Sequence, residues 1–409
     1  MRLLVFFIAL HFCNLTSSQS FSRIDSIINK EIDEHRVAGG TALIIHKGRV
    51  KYNKAYGFSD ITPQKKMETH SIFRIASQTK AIVSVGLLQL LEKNNINLDE
   101  PIEKFIPAFS NQKVAIIRRD SIQLVERKRP ITIRDILTHQ SGISSADEHP
   151  RLAPLFKKYG LDKLLNMGYK NLEEEVQQIA KMPLAHQPGE RFSYGLSTDV
   201  AGRLIEIISG MSLSSYLEKN IFKPLEMHDT YFYLPKAKQD RLVKVYIQFK
   251  TDSLQELIPS IFPVDYAKQE DNGYYSGIGG LVSTTGDYAK FLACLLNNGK
   301  YKGKTLLTKQ SMAAFLTNQL GDKTYVFGGK ASLNNFGLGV GLTTEKGQVI
   351  NNASTGSFFW GGAFNTAYMV DPGRKLITLF YFQKAPFVLP PLLSKLEKTT
   401  IEIIDGVKH

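Results

Sequence analysis

A chain of 409 residues can bury a large core, and 43% hydrophobic against 22% charged residues excludes a disordered or fibrous protein. The net charge of +13 is spread along the chain, with one cluster from Arg118-Arg119 to Lys128-Arg129. That cluster has neither interleaved aromatics nor a recognisable module, so a solvated face or loose attraction to anionic surfaces is expected, and a nucleic-acid partner is not.

Met1-Arg2, the apolar run Leu3 to Leu10 and the small polar stretch Asn14 to Ser20 have the layout of a secretory signal peptide cleaved near Ser18 to Ser20. The apolar core is too short for a membrane anchor. Phe12 stands where lipid attachment at Cys13 would want a small residue. Residues 1–19 are therefore expected to be a leader, and 20–409 an exported domain, periplasmic or secreted, with no stable membrane span. Removing the leader leaves Cys294, which excludes an intrachain disulfide or a thiolate metal site. Cys294 lies in the apolar stretch Phe291 to Leu296 and is expected in the core.

Phe21, Ile24, Ile27, Ile28 and Ile32 recur at helical spacing and predict an amphipathic helix over roughly 21–36. Thr41 to Ile45 and Val50 to Tyr56 read as a hairpin turning at Lys47-Gly48. The stretch from about 78 to 260 reads as mostly helical, including Ala81 to Leu91, Leu172 to Ala180, and Asp199 to Ile208 with its stop at Gly210. Phe336 to Leu342 alternates glycine with apolar residues and reads as a strand. Ser357 to Ala363, Thr366 to Val370 and Leu376 to Phe382 read as a meander with a turn at Asp371-Pro372-Gly373. Leu393 to Ile404 closes the chain as an amphipathic helix. The fold class is thus α/β (α+β). An antiparallel sheet is built from both termini (about 20–75 and 265–409), flanked by helices, with a mainly helical region (about 76–264) inserted. An active site would lie in the cleft between the two.

Ser77-Gln78-Thr79-Lys80 opens a run, Ala81 to Leu91, that is apolar nearly all round and so reads as a buried helix. Residues i and i+3 share a helix face, which brings the Lys80 amine beside the Ser77 hydroxyl. An amine held in an apolar interior gives up its charge more readily and can accept a proton. The helix N-terminus favours developing negative charge, and the Ser77 N–H can point at an oxyanion. A second match, Ser110-Asn111-Gln112-Lys113, leads into a strand-like Val114 to Ile117 and reads as accidental.

Downstream, Tyr194 sits in Phe192-Ser193-Tyr194-Gly195-Leu196 just before a helix, and Trp360-Gly361-Gly362 lies on a late strand. With Ile131 to Gly142 and Gly277 to Thr284, this order resembles the serine β-lactamase-like and penicillin-recognising superfamily, nearest its class C-like branch of family VIII carboxylesterases and transesterases. The resemblance spans nearly the whole mature chain and implies a β-lactamase/transpeptidase-like fold. It matches Ser77 to the acylated serine, Lys80 to the motif lysine and Tyr194 to the tyrosine that assists proton transfer. Trp360-Gly361-Gly362 stands where Lys-Thr-Gly is usual, and Ala363 would give the second oxyanion N–H. The resemblance also places Leu196 at a substrate-binding position, where it replaces an Asn, and Trp360 replaces the Lys that anchors a substrate carboxylate. Those departures point to a carboxylesterase or transesterase on small esters rather than to a D-alanyl-D-alanine carboxypeptidase or a weak β-lactamase. A ligand-binding envelope protein on this fold would not need Ser77, Lys80 and Tyr194 together. No cofactor and no metal are expected, since the histidines form no His-x-x-x-His or mixed carboxylate cluster.

Four further readings complete the sequence. His139 has no placed acidic partner and no Gly-x-Ser-x-Gly elbow occurs, so it reads as a structural histidine. Gly337 to Gly341 lacks the rest of a dinucleotide fingerprint. Ser354-Thr355-Gly356 is the alternative third motif. Tyr274, Tyr275, Phe358 and Phe359 are candidates for an acyl pocket or for the core.

Overall fold

The computed structural model describes residues 15–119, 121–162, 168–248, 253–259, 263–327 and 329–407. The expected leader therefore lies mostly outside the described residues. One eight-stranded antiparallel sheet joins both ends of the chain. Its N-terminal strands are β1 (Gly39–His46), β2 (Arg49–Asp60) and β3 (Lys65–Lys66). The C-terminal part adds β4 (Asn335–Phe336), β5 (Gly341–Leu342), β6 (Phe358–Gly362), β7 (Thr366–Asp371) and β8 (Leu376–Phe382). The order is β4-β5-β6-β7-β8-β1-β2-β3, so the termini meet where β1 pairs β8, with Leu43 opposite Leu379. Around the sheet lie α1 (Leu15–Asp33), α2 (Thr79–Asn94), α3 (Ser197–Ser209), α4 (Thr285–Leu296) and α5 (Pro390–Asp405), with shorter helices between them.

Both faces of the sheet are covered, which is why Leu376 to Phe382 is an unbroken buried run rather than a polar alternation. Side chains still alternate by face. Leu43, Tyr368, Val370, Leu379 and Tyr381 join the core shared with the helical region. Ala42, Ile44, Ala367, Met369, Phe380 and Phe382 join a second core with Ile24 and Ile28 of α1 and Leu393 and Leu396 of α5. Cys294 is buried on α4, and burial pushes its thiol up to about 12.

Three expectations are corrected. The first helix ends at Asp33, not Arg36. His35 turns to φ +53°, and Arg36 folds back onto the Glu31 carboxylate at 2.6 Å. Phe336 to Leu342 is not one strand. The Gly337 N–H bonds Val340 C=O at 2.8 Å and closes the β4–β5 hairpin, a turn the glycines permit. The helical region also carries two hairpins, Val114–Ile117 with Ile122–Val125 and Tyr246–Gln248 with Leu254–Glu256. The second pairs in parallel with Lys384–Ala385 just after β8, tying the inserted region back to the sheet.

Candidate active site

Strand pair Phe73–Arg74 with Val282–Ser283 delivers the chain to a one-turn 3₁₀ segment, Ala76–Gln78, that runs straight into α2. Ala76 holds φ +43°, a costly left-handed conformation for a residue with a Cβ, and it sets Ser77 at the helix entrance. The turn is clamped from both sides. Tyr381 of β8 donates to Gln78 Oε1 at 2.7 Å, and Tyr288 of α4 donates to the Gln78 carbonyl at 2.9 Å.

In the first turn of α2, Lys80 is 1% exposed. Its Nζ donates to Ser77 Oγ at 3.1 Å and to the Ile278 carbonyl at 2.7 Å. Tyr194 precedes α3, and its hydroxyl donates to Ser77 Oγ at 2.8 Å. Lys80 Nζ lies 4.7 Å from the centre of the Tyr194 ring. Two groups, one three residues and the other 117 residues from Ser77 in the chain, thus converge on its oxygen. The loop carrying Tyr194 is held by Ser193, whose N–H bonds the His139 carbonyl and whose hydroxyl bonds Ser144 Oγ at 2.8 Å. His139 packs its ring 4.7 Å from that of Tyr194. Burial, and then the Lys80 charge, push its imidazole well below the usual range, so it is a neutral support for Tyr194.

A cavity of about 390 Å³ opens on Ser77 and Tyr194. Trp360, Gly361, Gly362 and Ala363 form one wall. Gly362 is required there, because a Cβ would meet the Ile75 carbonyl oxygen at 2.4 Å; this close approach seats β6 against the Ser77 turn. Trp360 packs edge-on against Phe336 and Phe327 and tilted against Tyr194, at centroid distances of 5.3, 5.8 and 5.8 Å. Leu196 does not belong to this cavity. It is buried in the helical region, beside a small void lined by Ile143, Phe156, Leu161 and Ile179, so its expected contact with substrate is corrected. Its side chain is apolar and sits where the interior takes it up.

Of the four aromatic candidates, Phe359 lines the cavity. Tyr274 is tied to Glu175, Tyr275 to Asp271, and Phe358 is core. Ser354 is engaged by Asp371 and Arg374, and Ser110 lies on a separate 3₁₀ turn. Sequence reasoning missed Tyr325, Phe327, Asp147 and Glu148 on the cavity wall. They come from connecting segments with no periodicity, so no local pattern marks them. Among the described residues, no lysine, arginine or histidine lines the cavity, whereas Asp147, Glu148 and Glu397 do.

The Beta-lactamase family model matches residues 24–392. Acyltransferase calJ of Penicillium decumbens is 28% identical over 404 residues, covering 92% of each chain. Esterase EstB of Burkholderia gladioli is 23% identical over 380 residues, covering 90% of this chain and 91% of its own. Among solved structures, EstCE1, described as a hydrolase with promiscuous acyltransferase activity, superposes with a TM-score of 0.80 at 22% identity, over 94% of this chain and 100% of its own. The chain belongs to the Beta-lactamase family, a family of serine hydrolases and acyltransferases.

Proposed function

We propose that this protein is an exported carboxylesterase that works through a covalent acyl-Ser77 intermediate on small esters without a carboxylate. The observation that carries the reading is the convergence of Lys80 Nζ and Tyr194 OH on Ser77 Oγ at 3.1 and 2.8 Å. Ser77 Oγ attacks the ester carbonyl carbon and its proton passes into the Lys80–Tyr194 pair. The carbonyl oxygen becomes an oxyanion held by the N–H groups of Ser77 and Ala363. The tetrahedral adduct then breaks its bond to the alkoxy oxygen, which leaves as alcohol with a proton from Tyr194. Water repeats the sequence on the acyl-enzyme and releases the acid. An alcohol in place of water completes a transesterification by the same steps.

The walls of the cavity favour this substrate class. Trp360 and Phe327 offer apolar surface, and the carboxyls at Asp147 and Glu148 disfavour an anionic substrate such as a β-lactam or a peptide C-terminus. Parallel assays with p-nitrophenyl esters and a chromogenic cephalosporin test the preference: rapid cephalosporin turnover without ester turnover sinks it. A fluorophosphonate is expected to add its mass to Ser77 and to leave Ser77→Ala unlabelled. Export is tested by the N-terminus of the protein recovered outside the cytoplasm, expected near Ser18 to Ser20. Among the described residues, no helix is long and apolar enough to cross a membrane.

A further inference from the structure

Behind Lys80, away from the cavity, two carboxyl groups share the interior. Asp199, in the first turn of α3, is fully buried, and Glu175, on the helix Leu172–Lys181, is 3% exposed. Asp199 Oδ1 accepts from the Gly277 N–H at 2.6 Å, the Ile278 N–H at 3.1 Å and the Ser276 hydroxyl at 3.2 Å. Those bonds fix the loop whose Ile278 carbonyl receives Lys80 Nζ at 2.7 Å. Gly277 suits this approach, since a Cβ would meet the Thr198 carbonyl oxygen at 2.6 Å. Asp199 Oδ2 has no hydroxyl or N–H partner among the described residues, and the Glu175 carboxyl is its neighbour. On its far side, Glu175 Oε2 accepts from the Tyr274 hydroxyl at 2.9 Å.

Two carboxylates in hydrogen-bonding reach cannot both ionise in a dry interior. Burial, and then the charge of Asp199, push Glu175 well above the usual carboxylate range. Burial lifts Asp199 to about 6, opposed by the N–H bonds and by the Lys80 charge. One proton on Glu175 would give the otherwise orphaned Asp199 Oδ2 an O–H partner.

We propose that Asp199 is a positioning residue for Lys80, and that Glu175 keeps the carboxyl pair at one negative charge by holding the proton between them. Asp199 acts in two ways. It orients the Ile278 carbonyl that aims the Lys80 amine at Ser77, and it is the buried counter-charge to that amine in its protonated form. The role assigned to Lys80 rests on the acyl-Ser77 reading. Lys80 is otherwise faced by the Tyr194 ring and hydroxyl and by neutral His139, and Asp199 by Glu175, Ser276 and, beyond Glu175, Tyr274.

The test uses the full chain. Infrared difference spectra between wild type and Glu175→Gln at neutral pH are expected to show the carbonyl stretch of a protonated carboxylic acid in wild type; its absence would overturn the shared proton. The pH dependence of Ser77 labelling by a fluorophosphonate then reads Lys80 without requiring ester turnover. Glu175→Gln, a mimic of the protonated acid, is expected to keep the wild-type acid limb. The double variant Glu175→Gln/Asp199→Asn removes the charge and keeps the shape. Its acid limb is expected to move to lower pH by about one unit, with a plateau rate about tenfold lower. An unmoved limb and plateau overturn the counter-charge, whether or not wild type hydrolyses esters. If the double variant does not fold, the infrared result on wild type and Glu175→Gln still decides the protonation. Labelling without ester turnover would instead sink the esterase reading alone.

Discussion

The two faces of the sheet are buried to a similar degree and do different work. The outer face, under α1 and α5, is packed with aliphatic and aromatic side chains, and its charges stay near the surface, as in Arg23–Glu402 at 2.6 Å and Arg374–Asp405 at 2.8 Å. The side packed against the helical region meets ionisable, hydroxyl and amide groups held in the interior by that region: Lys80, Asp199, Glu175, Tyr194 and Gln78. Apolar burial yields stability in proportion to area, whereas a polar group kept from water must find partners. Lys80 and Tyr194 meet that requirement through hydrogen bonds to Ser77 Oγ, and Asp199 through the Gly277 and Ile278 N–H groups. The structure on that side is therefore tied to chemistry, and the outer face to stability.

Substitutions on each face separate the two roles. The largest expected effect is Ser77→Ala, which should lower ester hydrolysis by about 10,000-fold or more while leaving the melting temperature near wild type. Wild-type labelling in that variant would break the assignment. Tyr194→Phe removes the hydroxyl and keeps the ring against His139 and Trp360. Its kcat should fall by about 100- to 10,000-fold, measured on a p-nitrophenyl ester. On the outer face, Leu396→Ala should cost about 2 to 5 kcal/mol of stability in denaturant unfolding, with kcat per folded molecule retained.

Glu397 is the exception that sharpens the contrast. It stands on the outer side, bonded by Asn351 Nδ2 at 2.6 Å, and burial lifts it from the ordinary 4.5 to about 7 against that bond. Between those values the folded chain holds a proton that the unfolded chain has released. Stability from this group is thus full below pH 4.5 and falls as pH rises to about 7. Glu397→Gln should abolish that slope and be about 1 to 3 kcal/mol more stable than wild type near neutral pH, by thermal melts across the window. Smallest of all, Arg23→Ala breaks a half-exposed ion pair and should change stability by less than about 1 kcal/mol, an effect that added salt reduces further.

The legible part of this molecule is local. Ser77 and Lys80 are three residues apart on a helix whose apolar run announces its own burial, so their contact follows from helical geometry. The meander from Phe358 to Phe382 and the closing helix follow from periodicity and a Pro-Gly turn. Tyr194 was found through its motif, with no local rule to place it on Ser77. Phe336 to Leu342 misled because alternating glycine suits a strand and a tight turn equally. The Leu196 position was read from the motif alone, and its outcome depended on the packing of Ile143 and Phe156 around it.

By itself, then, the sequence determined the helix that pairs Ser77 with Lys80 and most strands of the sheet. Each follows from spacing along a few residues of chain. Tertiary structure alone decided that Tyr194 completes the group, that Tyr325 and Phe327 wall the cavity, and that Glu175 and Asp199 stand behind Lys80. Those contacts join segments tens to hundreds of residues apart, and their energies come from desolvation and charge, which exist only once the interior has closed.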